Sequence, residues 1–258
     1  MRVNVNDFFS EKEWNQIMSF SDQLETPFQL VLEDIVRQKY IELCENIPFA
    51  KIYYAVKANP ASEIITLLNT LGSNFDVASV YELRKLLSLG VKAERLSCGN
   101  TIKKTADIKE FYDAGIRLFV TDSESDLRNI AKAAPGSKIF VRLLTEGLMT
   151  ADWPLSRKFG CNPDMAYDLL VLAKKLDLDP YGMSFHVGSQ QRDIAAWDNA
   201  IAKVKYLFDW VTEEGINLKC INMGGGFPAH YQEKTNSIET YATEITRYLR
   251  EDFGDDLP

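Results

Sequence analysis

The feature that most constrains the fold is a regular alternation of short apolar runs with longer amphipathic stretches. Each apolar run is rich in β-branched and aromatic residues, which is typical of a buried strand, and each ends in polar or glycine residues. The amphipathic stretches carry apolar residues at helical spacing. The pattern predicts seven strands, at 50–56, 74–78, 95–100, 116–121, 138–144, 181–187 and 219–223.

A helix is predicted after each strand, and a longer irregular stretch at 145–163 interrupts the pattern. Alternating strands and helices form right-handed crossovers and a parallel sheet. Seven such units are one short of a closed (β/α)8 barrel, and the sequence ends at "FGDDLP", where an eighth strand is expected. The predicted fold is an α/β, TIM-type barrel that is incomplete at its C-terminus. An open doubly wound sheet is the structural alternative.

Composition excludes several classes of function. A chain of 258 residues with 46% hydrophobic content can bury one large barrel core. The net charge of −8 argues against a nucleic-acid-binding surface. The four cysteines are scattered without a CxxC pair, which indicates a reducing compartment and neither a disulfide framework nor a zinc site. No apolar stretch has the length of a signal peptide or a membrane span, so a cytoplasmic location is expected.

Polar residues and glycines collect at the predicted carboxyl ends of the strands, which is where barrels of this kind place their active sites. Lys57 follows an apolar run and precedes "NP", which ends the strand. His186 lies beside Gly188 at a strand exit, which favours a site role over a core role. A solvated lysine and a buried core histidine are the structural alternatives. The candidate residues are Lys57, Asp76, Asn100, Asp122, Arg142, His186 and Gly224–Gly226.

The segment "NMGGGFP" (222–228) is the strongest indication of a phosphate site. Three successive glycines let backbone N–H groups approach an anion without obstruction by side chains. The segment follows the seventh strand, where barrels often bind phosphate, and Ser189 could add a hydroxyl donor. It is neither a GxGxxG nor a P-loop pattern, and a tight turn is the alternative.

A lysine amine at one strand end and a phosphate site across the barrel are what pyridoxal phosphate requires. The lysine forms a Schiff base with the cofactor, and the phosphate is held elsewhere. The flat ring of His186 could pack on the pyridine ring. Asp76 could interact with the lysine or the imine, and Arg142 with the phenolate. Taken singly, each of these charged residues is more often part of a structural ion pair.

Six motifs together resemble the barrel of the fold-type III pyridoxal-phosphate decarboxylases, the alanine racemase-like family. The similarity begins at about residue 26 and is greatest to the bacterial ornithine or ornithine/lysine type. The motifs are "YYAVKANP", "FDVASVYEL", "GNTIKK", "DWPLSRKFG", "SFHVGSQ" and "NMGGGFP".

The resemblance implies specific roles for residues of this chain. Lys57 would carry the Schiff base, and His186 would stack on the pyridine ring. Lys158 and Asp122 would lie at the interface of a homodimer. The residues expected at the cofactor are Lys57, Asp76, Arg142, His186, Ser189, Gly225 and Gly226.

The resemblance also implies a division of the chain. Residues 1–31 would include a strand, "PFQLV" (27–31), that joins a second, β-rich domain, and residues 32–258 would form the cofactor-binding barrel. In the family, the eighth strand carries a Glu-Pro-Gly-Arg motif, and the β-rich domain supplies a cysteine and acidic residues. The sequence ends before these parts, so the chain looks truncated and is expected to be inactive alone.

The function implied by the resemblance is decarboxylation of a basic amino acid, with ornithine and its product putrescine favoured. Decarboxylation of lysine, diaminopimelate or carboxynorspermidine is the alternative within the family. A non-catalytic relative, either a pyridoxal-phosphate carrier or a protein-binding pseudoenzyme, is the alternative from another class.

Overall fold

The computed structural model describes residues 4–145, 150–153, 158–231 and 233–258. The strands are β1 (Tyr53–Ala55), β2 (Asn74–Val77), β3 (Leu96–Cys98), β4 (Leu118–Thr121), β5 (Lys138–Arg142), β6 (Ala151–Trp153), β7 (Asp179–Ser184), β8 (Ser189–Gln191) and β9 (Cys220–Asn222). The helices are α1 (Glu11–Ser21), α2 (Glu33–Asn46), α3 (Ser62–Thr70), α4 (Val80–Ser88), α5 (Thr105–Asp113), α6 (Glu124–Ala133), α7 (Pro163–Lys175), α8 (Ala195–Thr212) and α9 (Ile238–Phe253).

Seven strands form one parallel sheet in the order β1-β2-β3-β4-β5-β7-β9. Each strand therefore pairs with the next parallel strand along the chain, as in a barrel. A doubly wound sheet would reverse its strand order at a switch point, and this sheet has no reversal. The predicted α/β barrel-type fold and its seven strands are confirmed, and the doubly wound alternative is wrong.

Polar side chains cap the N-termini of four of the helices that follow the strands, α4, α6, α7 and α9. The side chains of Ser79, Ser123, Asn162 and Ser237 each accept a hydrogen bond from the backbone N–H three residues further on. Such a cap satisfies one of the unpaired amides of the first helical turn. The apolar faces of these helices pack on the sheet and form one continuous core.

The N-terminal part contains two helices that the strand–helix rhythm does not predict. A capping box between Ser10 and Glu13 starts α1, and the spacing "SEKE" is its sequence signature. Helix α2 packs against both α3 and α9, so it lies beside the first and the last helix that follow sheet strands. Residues 27–31 form no strand within the described chain. Since their expected partner is a sheet of another domain, that strand stays a prediction.

Two further strands form an antiparallel pair. Strand β6 lies inside the stretch at 145–163 that is predicted to be irregular, and β8 lies after it. Ala151 in β6 is opposite Gln191 in β8, and Trp153 is opposite Ser189. Arg192 joins the two segments through a bidentate ion pair with Asp152, at 2.5 and 2.8 Å. In the described part of the chain, no helix is long and apolar enough to cross a membrane.

Candidate active site

Lys57 lies directly after β1, in a single turn of 3-10 helix that spans Val56–Ala58. The turn after it is held by Asn59, whose side-chain oxygen accepts the N–H of Ala61 at 3.0 Å. The hydroxyl of Tyr54 donates to the carbonyl of Asn59 at 3.1 Å. These bonds hold the backbone that follows Lys57, while the lysine itself is exposed at the carboxyl end of the strand.

Asp76, in the neighbouring strand β2, is an acidic residue close to Lys57 and Arg142. Burial raises its pKa to about 6, which outweighs a hydrogen bond from Ser97 and the positive charges of Lys57 and Arg142. The hydroxyl of Ser97 donates to Asp76 Oδ1 at 2.7 Å. Asp76 and Lys57 thus lie close enough for their charges to interact.

Arg142 ends strand β5 and is half-buried. Burial lowers the pKa of its guanidinium, and the negative charges of Asp122 and Asp76 oppose that shift. The ring of Phe159 lies 5.1 Å from the guanidinium carbon. Asp122 accepts a hydrogen bond from the backbone N–H of Gly160 at 2.8 Å, so its described contact is within this chain.

His186 follows β7 between two fully buried residues, Phe185 and Val187, and its own side chain is only half-buried. Burial lowers the pKa of its imidazole to about 4, and the charges of Arg142 and Lys57 act in the same direction. Its Nδ1 accepts the backbone N–H of Gly188 at 3.0 Å. Near pH 7 the ring is therefore neutral, with its proton on Nε2. This arrangement supports the site role over the core role.

The glycine loop, Gly224–Gly226, lies against the backbone that carries His186. All three residues have positive φ angles, of 72°, 109° and 95°. A Cβ on Gly224 would lie 2.1 Å from the carbonyl oxygen of Phe185, and one on Gly226 would lie 2.6 Å from that of Gly188. Only glycine permits this conformation and this approach. A Cβ on Gly225 would be 4.0 Å from His186 Nε2, so the loop borders the imidazole.

Residues that the sequence reasoning missed hold the glycine loop in place. The side-chain amide of Gln190 both donates to the Ala229 carbonyl, at 3.0 Å, and accepts the Ala229 N–H, at 2.7 Å. The backbone N–H of Gln191 donates to the Gly226 carbonyl at 2.9 Å. In the sequence, the one feature that points to Gln190 and Gln191 is their position directly after Ser189, which lies exposed at the start of β8.

Other polar residues of the chain are exposed or free of a described role. His230 is exposed and contacts the ring of Phe8, with centroids 5.6 Å apart. Lys158 is exposed in a turn. All four cysteines are free. Among the described residues, no group of three or more His, Cys, Asp or Glu side chains could hold a metal ion.

Comparison of the chain with known proteins identifies a family and several relatives. The family described as "Pyridoxal-dependent decarboxylase, pyridoxal binding domain" matches residues 33–257. The lysine/ornithine decarboxylase of Selenomonas ruminantium is 37% identical over 219 residues, which cover 85% of this chain and 55% of that protein. The ornithine decarboxylase of Mus musculus is 34% identical over 247 residues, 95% of this chain and 53% of that protein. The chain thus spans about half the length of these curated relatives.

The structural comparison agrees. The crystal structure of an SrLDC mutant in complex with PLP superimposes with a TM-score of 0.88 at 34% identity, covering 96% of this chain and 64% of that chain. The residues described above fit that cofactor: a glycine loop that no Cβ could occupy, a neutral flat ring beside it, and an exposed lysine. The resemblance and the cofactor, pyridoxal phosphate, are therefore confirmed. The chain belongs to the pyridoxal-dependent decarboxylases, and residues 33–257 match the pyridoxal-binding domain of that family.

Proposed function

We propose that the protein decarboxylates a basic amino acid with pyridoxal phosphate, converting L-ornithine to putrescine in polyamine biosynthesis. The observation that carries this proposal is the presence of Lys57 and the glycine loop at the strand ends of one barrel in a chain of this family. Lysine is the second candidate substrate, because the Selenomonas relative is named for both amino acids.

In this proposal Lys57 holds the cofactor covalently through Nζ. The lysine is exposed on a fixed turn, so its amine can reach a ring bound between β1 and the glycine loop. When bound, pyridoxal phosphate supplies an electron sink that accepts the electron pair left behind as the carboxylate departs. The protein's own task is to bind this group, orient it and control the charges around it.

The glycine loop and Ser189 hold the phosphate in this proposal. Gly225 and Gly226 present backbone without side chains, which leaves room for an anion. The Gly225 N–H donates to the Met223 carbonyl at 2.8 Å, so of these two the Gly226 N–H is the one without a described partner. The hydroxyl of Ser189 is exposed beside them at the start of β8. The bonds from Gln190 and Gln191 keep the loop in its conformation before the anion arrives.

His186 and the two charged residues act on the ring. A neutral imidazole can pack on the pyridine face without the desolvation cost of a charged ring. The charges of Asp76 and Arg142 act on each other. Asp76 also interacts with Lys57, and Arg142 with Asp122, so both charges are partly balanced before the cofactor binds.

The substrate class and assembly follow from the family and from charge. A net charge of −8 favours the approach of a cationic amino acid. We further propose that the protein acts as a homodimer, with Lys158 and Asp122 at the interface. Its cytoplasmic location stays a prediction.

The test is a carbon dioxide release assay with ornithine, lysine and diaminopimelate, with the diamine products separated by chromatography. Two samples are needed, the 258-residue chain and a fusion to the remaining C-terminal part of the Selenomonas relative. We expect the fusion to release carbon dioxide from ornithine fastest and the chain alone to be far less active. Lys57→Ala should abolish release, and Lys92→Ala, an exposed lysine beside Glu94, should not. If the fusion releases carbon dioxide from none of the substrates, or if its release survives Lys57→Ala, the proposal is contradicted.

A further inference from the structure

Two small residues of β3 and the loop after it contact the carboxylate of Asp76. Ser97 is the partner of Asp76 in the β2–β3 ladder, so both side chains lie on the same face of the sheet. Ser97 donates to Asp76 Oδ1 at 2.7 Å. Gly99, two residues further and on the same face, has no side chain, and a Cβ there would lie 2.3 and 2.5 Å from the two oxygens of Asp76.

Successive side chains of β3 point to opposite faces of the sheet, so one face of the strand meets the core and the other meets Asp76. Leu96 and Cys98 are buried in the hydrophobic core between the sheet and the helices. Ser97 is only 4% exposed, and a buried hydroxyl costs free energy unless it is hydrogen-bonded. Its described side-chain bond goes to Asp76, so the serine at this position is satisfied by the acid and by nothing else that the structure describes.

The charges facing Asp76 come from several elements. Lys57 after β1 and Arg142 at the end of β5 favour the anion, whereas Glu82 on α4 opposes it. Glu82 is itself engaged, since it accepts the N–H of Ala78 at 2.7 Å. Burial is the strongest influence on Asp76 and disfavours the anion. Among the influences that favour the anion, the hydrogen bond from Ser97 is the largest.

We propose that Ser97 and Gly99 are positioning residues that keep the Asp76 carboxylate anionic and in place at the cofactor site. Ser97 supplies the hydrogen bond, and Gly99 supplies the space that both oxygens occupy. The inference rests on the proposed function, in which Asp76 lies at the cofactor. The place of Asp76 and the roles of Ser97 and Gly99 can be tested separately.

The first measurement is the titration of Asp76 in the cofactor-free protein, followed by NMR of ¹³C-labelled aspartate and assigned with Asp76→Asn. In Ser97→Ala the midpoint should rise by about one pH unit, because a hydrogen bond to the charged form is lost. Ser97→Thr, which keeps the hydroxyl, should restore the parental midpoint. Ser137→Ala is the matched control, since Ser137 is a fully buried serine just before β5 whose hydroxyl has no described partner.

The second measurement is cofactor affinity by absorbance titration across pH. With an Asp76 pKa of about 6 raised by about one unit, Ser97→Ala should bind pyridoxal phosphate about threefold more weakly at pH 6.5 and equally well at pH 9. Gly99→Ala displaces the carboxylate itself, so its loss of affinity should persist at both pH values.

The outcomes separate the two ideas. An Asp76 midpoint that does not move in Ser97→Ala overturns the inference. A Ser137→Ala variant that shifts the midpoint as far as Ser97→Ala also overturns it. Cofactor affinity that is unchanged in Asp76→Asn overturns the role of Asp76 in the proposed function, and the titration then decides the role of Ser97 alone.

Discussion

The side chain of Lys103 should be among the most costly in the molecule to remove. It is 2% exposed, and its Nζ donates to the Asn100 and Val120 carbonyls at 2.7 Å each. It also pairs with Asp126, 7% exposed, at 2.8 Å. Lys103→Met would leave a buried carboxylate with only the hydroxyl of Thr121, at 2.7 Å. Breaking a buried pair in this way costs about 3–5 kcal/mol, a large part of the ~5–15 kcal/mol that stabilises a typical domain.

The loss should depend on pH in a defined direction. Burial raises the pKa of Asp126, and Lys103 is the main influence that lowers it, so Lys103→Met should raise that pKa further. In the unfolded state the pKa of an aspartate is about 3.9. When the pKa is higher in the folded state, the acid destabilises the fold more and more as the pH rises from the unfolded to the folded value. The deficit of the variant should therefore be smaller at pH 4 than near neutral pH, where it is complete; the part that persists at pH 4 comes from the lost bonds to the Asn100 and Val120 carbonyls.

The assay is urea denaturation followed by circular dichroism, at pH 4 and pH 7. Lys109→Met is the control, because Lys109 and Asp113 form an exposed pair, 66% and 57% accessible, worth less than about 1 kcal/mol. The double variant Lys103→Met with Asp126→Asn should recover more than half of the loss, since it removes the buried charge. The reasoning fails if Lys103→Met lies within 1 kcal/mol of the control, or if the double variant is no more stable than the single one.

Three further predictions concern the site. Borohydride reduction in the presence of pyridoxal phosphate, followed by peptide mapping, should find the cofactor on Lys57; a stable adduct on another lysine would count against the assignment. His186→Ala should weaken cofactor binding or slow turnover by more than tenfold, about 1.4 kcal/mol, with little change in the melting temperature of the cofactor-free protein; the reverse pattern would indicate a core role. Gly226→Ala, at φ 95° and with its Cβ 2.6 Å from the Gly188 carbonyl, should weaken binding of pyridoxal phosphate but leave binding of pyridoxal, which lacks the phosphate, nearly unchanged. Equal losses for both compounds would show that the loop acts on the ring instead.

The parallel strands and their helices could be predicted because their signals are local. The predicted strand at 138–144 contains β5, Lys138–Arg142, and the helix predicted after the strand at 116–121 is α6, Glu124–Ala133. Burial on both faces produces the apolar runs, and one buried face produces the helical period. The strand ends then led to the prediction of a site with Lys57, Asp76, Arg142 and His186.

The pair β6–β8 could not be predicted, because its two three-residue segments, ADW and SQQ, contain no apolar run and each strand's partner is distant in the chain. No hydrophobic period is detectable at that length. The contribution of Gln190 was hidden for another reason. Its side chain bonds to the backbone of Ala229, an interaction that depends on how two loops meet and leaves no pattern in either segment.

The sequential order of the sheet also affects how the site is assembled during synthesis. Each strand of the parallel sheet pairs with the previous one, so each unit can dock as it leaves the ribosome, with little loop-closure entropy. Lys57, however, follows the first strand, and the glycine loop follows the last strand of the described sheet. The two ends of the cofactor site therefore meet only when the final unit docks. A cofactor bound to both joins the earliest-made part of the sheet to the latest, so it stabilises the completed fold and no shorter intermediate.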